Sequence, residues 1–166
     1  MRMMDILFSF PPILFAIAIV AFLGTGITQL IFAIGILYIP RFARIAYGSA
    51  LSIKASDFVQ ASQAIGSSHL RIICTDILPN IMAPVIIFIS LSLGRAIILE
   101  SGLSFLGLGP PPPTATWGNM LGKARELMDI QPLLTIWPSA AVGGTILLFN
   151  TLGDGLRDAL DPRLKI

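Results

Sequence analysis

Side chains able to do chemistry are few and scattered along this chain. Its one histidine and one cysteine, His69 and Cys74, stand five positions apart. On a helix that spacing turns them to different faces, which suits neither a metal pair nor a nucleophile with its base. The long apolar runs hold no clustered His, Asp or Glu, and no G-x-x-x-x-G-K-[ST] loop for nucleotide phosphates occurs. The chain therefore reads as non-enzymatic, with no catalytic residue and no metal site. Arg95 and Glu100 adjoin an apolar stretch, and two readings stand for them. Arg95, with Glu100 the candidate for a translocation path, could face that path and attract an anionic solute. The preferred reading has it extend its head to the outer interface near Glu100, which could equally be a helix-end residue exposed to water. The other candidates share one polar island, DFVQASQAIGSSHLRIICTDILPN, from Asp57 to Asn80.

Around these residues the chain is built for lipid. Of its 166 residues 55% are hydrophobic and 12% charged, with a mean hydropathy of +0.85. A soluble domain carries roughly 25% charged residues, so much of this surface faces something other than water. A net charge of +2 is too small for a nucleic-acid footprint, and a single cysteine excludes an internal disulfide.

Residues Ile6 to Pro40 form 35 consecutive uncharged positions. As one helix they would reach about 52 Å, against a hydrocarbon core of about 30 Å. The run must fold back, and Gly24-Thr25-Gly26 is the natural turn. This predicts spans over 6–23 and 27–47, the second carrying Arg41 and Arg44 at the interface. Further apolar runs predict spans over 77–99 and 132–152. The fold class is all-α: a polytopic membrane protein of about four transmembrane helices, forming one domain. Ala16-Ile17-Ala18 fits a signal-peptide cleavage pattern, but the apolar run continues to Leu23, so a first span is preferred. Gly143-Gly144 reads as a close helix contact in the fourth span. Asp154–Arg163 reads as a short tail helix ending before Pro162.

With four spans, Arg2, Arg41, Arg44, Lys54, Arg71, Arg157, Arg163 and Lys165 share one side, and Lys123 and Arg125 the other. The positive-inside rule places both termini and the 48–76 loop in the cytoplasm. The 100–131 loop is then external, with Pro110–Pro113 as a stiff spacer and Lys123, Arg125, Glu126 and Asp129 as its solvated face.

The island itself has a helical pattern. Ser56 can cap a helix, Asp57 complements its positive end and Gly66 can end it. Phe58, Ala61, Ser62 and Ile65 form a small, apolar stripe. Ser67-Ser68 offers a second cap, from which a helix runs on into the third span. An interfacial helix on lipid normally shows basic residues and bulky anchors. Gln60, Gln63 and Asp57 on the polar side, and small residues beside Phe58, favour docking to another protein.

The island resembles the EAA loop of ABC-transporter permeases, which has Glu-Ala-Ala, then a glycine, then an Ile-x-Leu-Pro end. Here Gln60-Ala61-Ser62, Gly66 and Leu78-Pro79 stand at the matching positions, with Gln60 for Glu, Ser62 for Ala and Asp76 for Ile. The stretches MDILFSFPPILFAIAIVAFLG, ILESGLSFLGLGPPPPTATWGNML and NTLGDGLRDALDPRL are similar to the dipeptide/oligopeptide/nickel permeases. The resemblance implies a permease subunit of an ATP-driven importer in a bacterial or archaeal plasma (inner) membrane. Implied partners are ATPase subunits, a second permease, an extracytoplasmic substrate-binding protein and the lipid bilayer. ATP and Mg would sit on the ATPase subunits, leaving this chain without a cofactor. The EAA loop would be a coupling helix in an ATPase cleft, with Asp57, Gln60, Ala61, Ser62, Gly66, Leu78 and Pro79 as the coupling residues. Such permeases have more spans than four, and the chain resembles only the last four. The N-terminal pair is therefore expected to be missing, and a truncated remnant or assembly subunit is the alternative reading.

Overall fold

The computed structural model describes Met4 and residues 10–160. Its secondary structure is helical throughout, with no strand among the described residues. Helix α1 covers Pro12–Leu23. The Pro11-Pro12 pair starts it, because proline needs no intrahelical N–H partner in a first turn and holds the preceding residue extended. Pro11 accordingly has ψ 127°. The first part of the expected 6–23 span, residues 6–9, lies outside the described residues. Among those described, three helices rather than four are long and apolar enough to cross a membrane alone, and α1 is a shorter apolar helix.

Gly24, at φ +88°, turns the chain back into α2, Ile27–Lys54. This helix runs 28 residues, seven beyond the expected 47, and passes through Pro40. It reaches about 42 Å, so its last two turns carry the chain beyond the apolar core rather than leaving it as loop. Helix α3, Asp57–Ala64, follows after a two-residue break. Then comes α4, His69–Phe105, a continuous 37-residue helix. The expected 77–99 span is thus only its middle, and residues 100–105, assigned to an external loop, are helical. Within α4 the stretch Ile72–Ile77 winds as a π-helix before Leu78–Phe105 returns to α-geometry. Pro79 explains the irregularity, since its ring crowds the preceding turn and it offers no N–H. Side chains take up the disturbed carbonyls: Thr75 donates to the Arg71 carbonyl at 2.8 Å and Asn80 to the Asp76 carbonyl at 2.7 Å.

The stretch expected as an external loop holds a helix that the sequence reading did not anticipate, α5, Trp117–Glu126. Thr116 caps it by accepting the Asn119 N–H at 3.1 Å. Helix α6, Ile136–Leu160, follows a 3-10 turn at Pro132–Thr135. It absorbs the expected tail helix, which is no separate element up to Leu160. Residues 161–166, with Pro162, Arg163 and Lys165, lie outside the described residues, as does Arg2.

Helix α4 is the axis against which α1, α2, α5 and α6 pack. Ala16 and Val20 of α1, Leu30 and Ala33 of α2 and Leu103 of α4 form the buried cluster. Tyr38 of α2 donates to the Ser92 carbonyl of α4 at 3.3 Å, and Phe42 meets Phe88 edge-on at 4.9 Å. Against α6, a side chain at Gly94 would press on Asn150 and one at Gly153 on Leu91. Membrane helices approach through small residues because lipid gives no hydrophobic drive between them. The Gly143-Gly144 pair does not do this: a side chain at either would meet open space, and both are exposed. They sit on the outward side of α6, only 6% of whose most apolar window is buried.

Helix α5 lies back on the end of α4 through Gly118 and Gly122, one turn apart, against Ser101, Ser104 and Phe105. Asn119 donates to the Pro110 carbonyl at 2.8 Å, and Arg125 lies over the Phe105 ring at 5.7 Å. The proline run is thus pinned to α5 as well as stiff. Replacing Gly118 with valine should lift α5 away and lower stability by about 1–3 kcal/mol. The expected readout is a lower Tm and new proteolysis between residues 107 and 131. Gly155→Ala, which fills open space, should change neither, and an unaltered Tm in Gly118→Val would refute the tight contact.

Candidate functional site

The polar island becomes a folded corner between α2 and α4. At the end of α2, Ser56 sits where an N-cap residue should, with φ −77° and ψ 151°. Its hydroxyl does not cap α3, however. It donates backwards to the Ile53 carbonyl, closing the open end of α2. The Ser56 carbonyl receives the Val59 and Gln60 N–H groups at 3.1 and 3.2 Å. Gln60 also donates its side-chain amide to the Ala55 carbonyl at 3.2 Å. The Ile53 carbonyl also accepts the Ser56 N–H at 3.0 Å, and the two side chains add bonds to the carbonyls at the end of α2. A glutamate at position 60 has no hydrogen to give the Ala55 carbonyl, so Gln60 ties α3 to α2 in a way glutamate could not.

Helix α3 ends as its glycine predicts. Gly66 takes φ +80° and donates to Gln63 at 3.0 Å, while Ser67 donates to Ser62 at 3.1 Å. This pair of bonds is a Schellman turn, and the left-handed residue in it favours glycine. A side chain there would find space, so conformation and not crowding selects Gly66. Ser68 then caps α4, accepting the Arg71 N–H at 3.4 Å.

Val59, wholly buried, and Ile72, nearly so, hold the corner together, and α3 packs on the π-helical segment and on the end of α2. The anticipated stripe points elsewhere: Phe58, Ala61 and Ile65 are exposed, and Ser62 is half-buried. Ile65 is 83% exposed and Leu70 75%. Asp57, Gln60 and Gly66 are exposed on the same short segment. Leu78 and Pro79, also exposed, come after the π-helical segment and shape α4. The sequence reading missed Val59 because it counted the apolar stripe from Phe58. The signal was there: Val59 and the half-buried Ser62 are three apart, on the adjacent face.

His69 and Cys74 are both exposed, and no cluster of three or more His, Cys, Asp or Glu forms among the described residues. Arg95 and Glu100 are not brought together. Five positions on one helix place them about 140° apart. Arg95 lies within electrostatic reach of Tyr38. Glu100 instead accepts from Ser104 at 2.7 Å and Ser101 at 3.3 Å. Ten further residues of α4 follow Arg95, so it lies about 15 Å short of the helix end rather than at it.

All 166 residues fit the family described as binding-protein-dependent transport system inner membrane component. The chain belongs to this family. The glutathione transport system permease protein GsiD of Escherichia coli O1:K1 / APEC is 47% identical over 165 residues. The GsiD proteins of Shigella flexneri serotype 5b (strain 8401) and Shigella boydii serotype 4 (strain Sb227) match equally. Each match covers 99% of this chain and 54% of the relative, so the chain spans about half the length of these curated relatives. The resemblance to inner-membrane ABC permeases of the peptide family, and the all-α polytopic fold it implies, are borne out. The family's membrane-component character accounts for the apolar exterior, and α3 is a short polar helix between two of the long apolar helices.

The Schellman turn gives a direct check. Gly66→Val forces a branched residue into the left-handed region, at about 1–2 kcal/mol. The Gly66 and Ser67 amides should exchange hydrogen about tenfold faster, while Gly143→Val leaves them unchanged. Unaltered exchange in Gly66→Val would contradict the turn.

Proposed function

We propose that the chain forms part of the permease of an ATP-driven importer for peptides or related small solutes. In this reading α3 is the coupling helix through which ATPase subunits drive it. The carrying observation is mechanical. An exposed face of small and apolar residues, Phe58, Ala61 and Ile65, sits on a corner locked by Val59, Ile72, Gln60 and Gly66. That corner runs without a break into the 37-residue α4. A push on α3 is therefore transmitted to a helix that crosses the membrane and contacts all the others.

Alternating access requires a partner that holds the two states with different affinity. A face this short and this exposed can supply the differential contact without disturbing the spans. The ATPase partners would carry ATP and Mg, and a second permease and a substrate-binding protein would complete the path. The excess of Lys and Arg on the α3 side puts α3 and both termini in the cytoplasm. The glutathione named for the GsiD relatives is itself peptide-like and supports a peptide-type cargo.

The test is an assembled importer in proteoliposomes carrying Ala61→Trp or Gly66→Val. ATP hydrolysis should persist while uptake falls about tenfold or more, a loss of roughly 1.4 kcal/mol of coupling. Wild-type uptake in both variants, with the ATPase still bound, would remove α3 from the coupling role.

A further inference from the structure

A second feature lies at the other end of α4. Between α2, the last turns of α4 and α5 is a cleft of about 530 Å³, within the roughly 300–1,000 Å³ usual for small-molecule sites. Ile27, Ile31 and Ile34 form one wall, and Trp117 and Met120 line the other. Glu100 is the single charged residue in the lining.

The carboxylate is held in place. Ser104, 2% exposed, donates to Oε1 and Ser101, 6% exposed, donates to Oε2. An ionised carboxylate has about four acceptor positions, so two hydroxyls leave about half of them open. No cation pairs with Glu100 among the described residues. A half-buried carboxylate among apolar side chains is unfavourable without a counter-charge. The missing partner is a cation that can also cover isoleucine and methionine surface.

We propose that this cleft binds a primary ammonium carried on an apolar body, such as the amino-terminal end of a short apolar peptide. The ammonium donates to the free positions of Glu100, the apolar part lies between Ile31 and Met120, and Trp117 offers an aromatic face to the cation. A lipid with a primary-ammonium headgroup has the same chemistry. The cleft's small-molecule size favours a compact soluble ligand. The inference rests on the permease reading only in naming the ligand as cargo.

The probe is 2-phenylethylammonium, and the readout is Trp117 fluorescence in the full chain with Trp137→Phe, held in phosphatidylcholine nanodiscs. Binding should be saturable, absent for the neutral 2-phenylethanol, and about ten- to hundredfold weaker in Glu100→Gln, the range for one charge-assisted hydrogen bond. Glu100→Gln keeps the shape and an acceptor for Ser104. A second variant, Ile31→Arg, brings a competing cation into the cleft from an exposed position, adds no second indole, and should abolish binding with Glu100 intact. Equal binding of the alcohol, or wild-type affinity in both variants, overturns the proposal. Competitive loss of binding in phosphatidylethanolamine nanodiscs overturns the soluble ligand in favour of a lipid headgroup. No ATPase takes part, so binding without coupled uptake would fault the permease reading alone. Coupled uptake with no probe binding would fault the cleft alone.

Discussion

Inside a bilayer every main-chain N–H and C=O must find its partner within its own helix, because no water is present to take its place. This constraint explains why the apolar stretches are unbroken helices and why irregular backbone gathers where they emerge. Helix α4 shows both sides of it. From Leu78 to Phe105 it holds α-geometry through Pro84, with serines at 90, 92, 101 and 104 turned into helix contacts. Before Leu78 it relaxes into a π-helix where Thr75 and Asn80 serve the carbonyls.

Because α4 is continuous, its two ends are one mechanical part. Ile72, which anchors the α3 corner, and Glu100, which lines the cleft at the other end, are 28 residues apart, or roughly 42 Å along the axis. Neither end needs to deform for the other to move. Coupling between distant sites requires an element with two arrangements that both sites bias, and a rigid rod packed on every other span is a simple one. Its contacts combine close approaches at Gly94 and Gly153 with the buried Leu103 and the Phe42–Phe88 pair.

Much of this was legible in order along the chain. The Gly24 turn, the Gly66 stop, the Ser68 cap and the amphipathic α3 follow from local rules, since a left-handed glycine or a capping hydroxyl acts on its own few residues. The family was legible too, because the EAA-like spacing and the Gly-Pro run survive as strings. The lengths of the helices were harder. Residues 48–54 and 100–105 are polar or mixed enough to read as loop, yet they continue α2 and α4, because a helix already formed gains one bond per added residue.

The sequence by itself determined an all-helical membrane chain, the position of its polar corner along the chain, and the Gly66 stop and Ser68 cap within it, all through short-range bonding and hydropathy. Only the tertiary structure decided what each face is for. Gly143-Gly144 and Gly118 look alike on paper, but one lies open and the other is pressed on Ser101 and Ser104. Gln60, a candidate partner contact, also ties α3 to the end of α2; Glu100, read as a path or helix-end residue, lines a cleft. The reason is physical: a glycine or a carboxylate takes its role from what packing brings against it, and Ile27, Ile31 and Ile34 in the Glu100 cleft are 66–73 positions away in sequence.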